Sequence, residues 1–513
     1  MNNWRDFCAL ICQPQVDLEQ LREAVERDPG CGIYARSLQR VDGVTLFMAK
    51  EADERVLVVF PHSAIADRFN GDEIECNGSI AKICPIDLVN CRVIREIFPF
   101  TRPVSQRGRA VSIGLGDRLG LASPGHLRLV KDYDVFPVLA QQSIRELNLT
   151  GRTYDDVLAA ASWAVFQEGY EKGFGADGDH LKTEQEVRMA LDCGVSMITL
   201  DCSEHIQNDV PDLSEAAVSE RYAQLPGDER AELESRWFNK EITLDAAVKL
   251  TYTPDEVRRI VLIYRDAIRH AAKIYSGYIE PSKRAIDFEL SIDETLTSTS
   301  PEAHYFVATA LIDLGVSMIS LAPRFCGEFQ KGIDYRGDIE QFRREFAVHS
   351  LIARLFGYKI SVHSGSDKFS VFPTVGEMTG QVYHLKTAGT NWLEAVRVIA
   401  SRDPALYRDM HAYAMEHLDE ARQYYHISAD PDHVAPLDSL NDDQLADLMN
   451  QDDARQILHI TYGLLLKSRY DDGSERFRPR IYALLNQDEE AYSQALQKHI
   501  GRHLQTLGLI SQA

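Results

Sequence analysis

Eight short apolar runs, at residues 111–115, 135–139, 174–177, 196–201, 285–290, 316–321, 359–363 and 381–385, recur through the middle of the chain with helix-like stretches between them. Eight strands are the number that closes a (β/α)8 barrel, and closure brings strand ends far apart in sequence onto one face. The helices have apolar residues at three-to-four spacing over 154–172, 184–193, 254–275, 303–314 and 342–356, and Gly173, Gly194 and Gly315 stand where three of them stop. Only 118–134 is available for a helix between the first two strands, which keeps an open doubly wound sheet as the competing arrangement. Six runs lead into ionisable residues: Asp177, Asp179 and His180; Asp201, Glu204 and His205; Asp287 and Glu289; Arg324; His363; and His384 with Lys386. Such clusters at strand ends are the mark of a catalytic face.

The expected architecture is therefore an α/β chain: a (β/α)8 TIM-like barrel with a small N-terminal α/β domain and a helical C-terminal appendage. Strand-like 44–48 and 56–60 and helix-like 18–25 belong to the first unit, which ends at Phe98-Pro-Phe-Thr-Arg-Pro103, where two prolines interrupt regular structure. The expected boundaries are 1–105, 106–400 for the barrel, and 401–513. Residues 208–253, acidic and helix-prone, are too long for a simple loop and read as an insertion, either a lid on the catalytic face or a solvated helical hairpin.

Bulk properties narrow the function classes. A formal charge of -23 over 513 residues disfavours nucleic acid and anionic membrane as partners, while leaving room for a small anion held by local Lys and Arg. No run approaches the roughly 20 apolar residues of a membrane span, and the start lacks a signal-peptide core, so a cytoplasmic enzyme is expected. Nine cysteines without CxxC pairs point to reduced thiols. A homo-oligomer is compatible with all of this.

Strand alternation selects inward-facing groups. Ile360 and Val362 face the helices, which turns Ser361 and His363 inward; Ile286 and Phe288 do the same for Asp287 and Glu289; Val382, His384 and Lys386 share one face. Three histidines at equivalent strand ends, His180, His363 and His384, are the expected ligands of a divalent metal, with Glu289 as a further carboxylate; the donor set suits Zn, Mn, Co, Ni or Fe(II). Asp179, next to a ligand, is the expected general base, with Asp177 its rival, and Glu289 the expected acid; the alternative role for Asp179 or Glu289 is to orient a metal-bound imidazole. Arg118, Lys182, Arg324, Lys331, Lys368 and Lys386 are the cations available to an acidic substrate. Gly114-Leu-Gly116-Asp-Arg-Leu-Gly120 has GxGxxxG spacing, which does not make a dinucleotide fingerprint.

The segments Gly114–His126, Ala176–Lys182, Phe288–Glu294, Gly327–Tyr335, Val362–Lys368 and His384–Thr387, in this order and spacing, together resemble the bacterial tagaturonate epimerase family. The resemblance covers the barrel and, more loosely, both ends. It implies a divalent-metal-dependent enzyme interconverting D-tagaturonate and D-fructuronate in hexuronate catabolism, with an acidic proton acceptor beside a His ligand, matching Asp179 and His180, and an acidic donor. These ketouronates differ at the carbon β to the ketone, where deprotonation gives no enolate; retro-aldol cleavage and re-addition is the expected route. A class II aldolase or sugar isomerase on a related acidic sugar would use a similar array, and a non-catalytic carbohydrate-binding or regulatory protein is the alternative of another kind.

Overall fold

The computed structural model describes residues 4–13, 16–51 and 54–512. Near the N-terminus, strands β1 (Gln39–Val41), β2 (Val44–Glu51), β3 (Glu54–Phe60), β4 (Asp72–Cys76) and β5 (Ser79–Pro85) form an antiparallel sheet in the order β1-β2-β3-β5-β4. Period-two alternation gives it two apolar faces. Phe47, Ala49, Val58 and Phe60 pack under Trp4 and Leu21, whereas Leu46, Met48, Leu57 and Val59 pack against Ala159, Trp163 and Phe166 of the helix Tyr154–Glu168, which belongs to the barrel.

Strands β6 (Val111–Gly114), β7 (Phe136–Ser143), β8 (Gly175–Leu181) and β9 (Met197–Asp201), a hairpin β10 (Lys240–Thr243) and β11 (Lys249–Tyr252), and then β12 (Asp287–Ile292), β13 (Ser320–Pro323), β14 (Lys359–Val362) and β15 (Tyr383–Lys386) follow. The eight strands other than the hairpin close into a parallel barrel, β15 pairing back onto β6 from Tyr383↔Val111 to Lys386↔Gly114. Closure rules out the open sheet. Outward-facing Ile113, Ile198, Phe288, Leu290, Ile360 and Leu385 form the core between strands and helices. The weakly marked stretch after β6 holds a short helix, Ser123–Val130. Helix Glu184–Cys193 shows how local chemistry fixes the repeat: Thr183 and Glu186 make a capping box at its start, and Gly194, at φ 104, takes the left-handed position at its end.

Polar groups line the interior of the barrel. At its floor, Asp287 accepts from the Ser105 hydroxyl (2.5 Å) and the Gln106 amide (2.7 Å), and the Lys359 ammonium donates to Gln106 and Ser112. Burial pulls the Lys359 amine down to about 8, with Asp287 and Glu289 opposing.

Two regions differ from the sequence expectation. The 208–253 insertion contains helices Glu215–Ala223 and Gly227–Trp237 but also the β10–β11 hairpin, whose alternate residues Leu250 and Tyr252 are buried. The C-terminal region is helical as expected, yet it is no simple appendage. Ile500 and Leu504 of the last helix, Glu489–Thr506, and Leu507 just after it enter the barrel core, and the remainder builds its own core around Trp392, Tyr407 and Tyr462.

Candidate active site

The C-terminal ends of the strands surround a pocket whose deepest feature is the Lys386 ammonium. It lies 3.0 Å from Asp177, 2.6 Å from Asp179 and 2.9 Å from Glu289, and donates to the Thr199 hydroxyl at 2.6 Å. Burial disfavours the ammonium, but three carboxylates outweigh burial and hold Lys386 charged far above the usual lysine range. The carboxylates divide in turn. Burial would raise Asp179, yet His180 and Lys386 hold it well below the ordinary range; Glu289 is held low against burial by Lys386 and His363. Asp177 moves the other way, because burial and its two carboxylate neighbours outweigh Lys386.

His180 reaches the pocket through a break in strand regularity. Alternation that turns Asp177 and Asp179 inward would turn His180 outward. Instead the register of β8 against β9 shifts between Gly178 and Leu181, and His180 has φ 53, a left-handed conformation uncommon for a side-chain-bearing residue. Its Nδ1 donates to Asp179 at 2.9 Å, and its ring centroid lies 4.9 Å from that of His363. Burial lowers His180, but Asp179 prevails and pushes it up to about 10. His363 is held between two carboxylates, with Nε2 2.7 Å from Glu289 and Nδ1 3.1 Å from Asp293.

Ligand atoms of His180, His363 and Asp293 lie within 4.8 Å of one another. Two imidazoles, each oriented by a carboxylate, together with a third carboxylate at the pocket mouth, form a donor set that fits a divalent cation. A second group of donor residues, Asp367, His499 and His503, is committed elsewhere: Asp367 pairs with Arg455 at 2.7 Å, and Nε2 of His503 already accepts the Asp367 amide.

Cations line the same pocket. Arg118 donates Nε and Nη2 to one oxygen of Glu146 (2.9 and 2.6 Å) and lies 3.8 Å over the Tyr462 ring. Lys331 donates to the Ser364 hydroxyl, and Arg145 lies over Tyr425. Neither Lys331 nor Arg145 makes an ion pair among the described residues, although Glu146 and Glu294 line the same pocket and act on both, so the three cations outnumber the two carboxylates beside them. Arg118, Arg145, Lys331, Asp179, His180, Asp293, His363 and Lys386 all line one pocket.

Residues 34–507 match the tagaturonate epimerase family. The chain belongs to that family. It is 40% identical over 479 residues, 93% of this chain and 97% of the relative, to the tagaturonate/fructuronate epimerase of Thermotoga maritima. Two crystal structures of the fructuronate-tagaturonate epimerase of Cohnella laeviribosi, one with glycerol and one native, share 48% identity with TM-scores of 0.91; they cover 96% and 95% of this chain and 100% and 99% of their own.

Within this family member, several residues singled out in the sequence occupy other places. His384 does not join His180 and His363: it sits two residues deeper on β15 than Lys386, fully buried, with Nδ1 hydrogen-bonded to Ser112, and burial drives its ring down to about 3. Glu289 and Asp177 lie beneath Lys386 rather than on the pocket wall. Lys368 is fully buried and donates to the carbonyls of Gln330, Ile333 and Ser366; Lys182 turns to Glu204 and Asp201; Arg324 donates to the Thr295 carbonyl. No residue of 208–253 lines the pocket, which gives the lid reading no support. Residues without an expected role line it too, among them the ionisable Asp293, Glu294, Arg145, Glu146 and His459. Asp293 was within reach of sequence reasoning, since the inward series Asp287, Glu289, Ser291 on β12 continues to it. Arg145 and His459 carry no such signal.

Proposed function

We propose that this chain interconverts D-tagaturonate and D-fructuronate, requires a divalent cation, and works by retro-aldol cleavage and re-addition. The observation that carries the reading is the joining, in one pocket, of a cation-competent group with an adjacent carboxylate and a set of cations, Arg118, Arg145 and Lys331, that outnumbers the carboxylates Glu146 and Glu294 beside it. A ketouronate has groups to match both. Its oxygen-rich ketone end suits the histidines, and its carboxylate suits Arg118, Arg145 and Lys331. Membership of the family, and the activity named for a relative matched over nearly its whole length, support the same reading.

His180, His363 and Asp293 are the residues that would hold the cation. When bound, it would supply Lewis acidity that stabilises negative charge on substrate oxygens. Asp179, ionised and lining the pocket, takes the proton of the hydroxyl on the carbon β to the ketone. The bond between that carbon and its neighbour toward the ketone then breaks, leaving an aldehyde on the carboxylate-bearing fragment and an enediolate on the other. The anchored carboxylate keeps the aldehyde in place while it rotates, and re-addition to its opposite face forms the epimer. Lys386, 2.6 Å from Asp179 and on the same wall, is the nearest ammonium to the proton being moved. Glu289 serves by orienting His363 and holding Lys386.

Incubating the protein with tagaturonate and a divalent cation in heavy water, followed by NMR, tests this reading. Fructuronate should accumulate with hydrogen retained at the epimerised carbon. Stoichiometric deuterium there would exclude the retro-aldol route, and accumulation of separate cleavage products would move the assignment to an aldolase.

A further inference from the structure

The helical C-terminal region places His459 beside the cations of the pocket in a state that the protein's own contacts do not explain. It lies on the helix Asp452–Ile460, is fully buried, and neither ring nitrogen has a hydrogen-bond partner among the described residues. Leaving a buried polar group unpaired costs free energy, and an imidazole orphaned at both nitrogens in a pocket wall is one that a ligand would complete.

Its surroundings show what kind of ligand. Arg118, only 3% exposed, also has an unpartnered Nη1. Gly389, just before the helix Thr390–Arg402, lies against the ring: a Cβ there would run into His459 Cε1 and come within 2.7 Å of its Nε2 and 3.6 Å of Arg118 Nη2, the nitrogen that donates to Glu146. A glycine with ordinary φ of -77 is not required by backbone conformation; here its missing side chain leaves Nε2 uncovered. The start of that helix adds the partial positive charge of its free amides, in the position after the last barrel strand where barrels of this type bind anions. Two buried, unpartnered donors beside a helix start, with Lys331 and Arg145 at hand, form a cradle for a planar anion.

We infer that His459 is a substrate contact that, with Arg118 and the start of helix Thr390–Arg402, reads the carboxylate of the ketouronate and so sets the preference for acidic over neutral sugars. This rests on the proposed function and deepens it. Burial, with Arg118 and Lys331 nearby, holds the imidazole well below its ordinary range, so the ring acts as a neutral donor to the carboxylate. The C-terminal region thereby becomes part of the specificity machinery.

The test compares kcat/KM for tagaturonate and for the neutral ketohexose tagatose in the metal-loaded full-length protein, wild type against His459→Leu, His459→Gln and Gly389→Ala. Wild type should prefer the uronate by about a hundredfold or more. In His459→Leu the uronate should lose at least about tenfold more than tagatose does, collapsing the preference; His459→Gln, which keeps a donor, should restore much of it; Gly389→Ala, which covers Nε2, should resemble His459→Leu. Equal losses on both substrates in His459→Leu and Gly389→Ala would assign His459 a structural role and overturn the inference. Absence of uronate epimerisation in the wild type would refute the proposed function itself, and with it this contact.

Discussion

Nδ1 of His180 lies 2.9 Å from Oδ1 of Asp179, the residue before it, although neighbours on a regular strand face opposite ways. The left-handed turn at His180 and the shifted register of β8 make this possible. One strand end thus supplies both a carboxylate able to accept a proton and an imidazole whose Nε2 remains available to a cation. Backbone strain of this kind costs of order 1–3 kcal/mol and persists where the surrounding structure demands it.

The grouping of His180, His363 and Asp293 predicts which variants lose metal. His180→Ala and His363→Ala should abolish stoichiometric binding, and Asp293→Asn should weaken it at least about tenfold. His384→Ala, in contrast, should bind metal normally, because that ring faces Ser112. Metal analysis after dialysis decides. Loss of metal from the His384 variant would restore it to the ligand set.

Asp179 and Glu289 should separate in kinetic measurements. Asp179→Asn also loses the carboxylate partner of His180, so it should be assayed at saturating metal, where it should still lose at least about a hundredfold in kcat, the scale expected for removing a positioned base. Glu289→Gln leaves His363 without its orienting carboxylate, so metal affinity should fall about 10–100-fold along with turnover. Full metal affinity with a large kcat loss in Glu289→Gln would instead return it to the role of direct proton donor.

How far these assignments were legible in the sequence follows from geometry. The eight strands were readable because each carries an apolar, period-two pattern bounded by a helix. Inward-facing residues followed from the same alternation. Alternation does not tell depth, however: His384 and Lys386 share a face, yet only Lys386 reaches the pocket. It also fails where the strand is irregular: His180 enters the expected ligand set as one of three histidines at strand ends, whereas alternation would turn it outward. Lys368 shows a further limit, since a lysine in a polar loop gives no sign that it will be buried against three carbonyls. His459 and Arg145 reach the site through tertiary packing of helices, which has no local pattern to read.

Asp367 and Arg455 should govern how the C-terminal helices are held to the barrel. Their 2.7 Å ion pair is buried, and burial would raise the Asp367 carboxyl, but His499 and Arg455 hold it far below the ordinary range. A carboxyl depressed in the folded state contributes stability above its unfolded value of about 4, and loses it as pH falls toward the folded value. Asp367→Asn should therefore destabilise by about 3 kcal/mol at neutral pH, with the difference from wild type shrinking below about pH 4. Denaturant melts at pH 7 and pH 3.5 measure both. A difference unchanged between the two would show that the charge of Asp367 is not what matters.

Lys331 and Arg145, which make no ion pair among the described residues, should carry the electrostatic part of substrate affinity. Lys331→Met should raise KM for tagaturonate by about tenfold or more while affecting tagatose much less, and the effect should weaken as salt rises. Equal effects on both sugars would place the carboxylate elsewhere.

The most direct test of the account is product NMR on tagaturonate with one preparation in three states: as purified with divalent cation, after exhaustive chelation, and after the cation is restored. The account predicts that fructuronate forms in the first state, ceases in the second and resumes in the third. Undiminished epimerisation after the metal is shown to be gone would contradict the role given to His180, His363 and Asp293, and no fructuronate from the metal-loaded protein would contradict the activity itself.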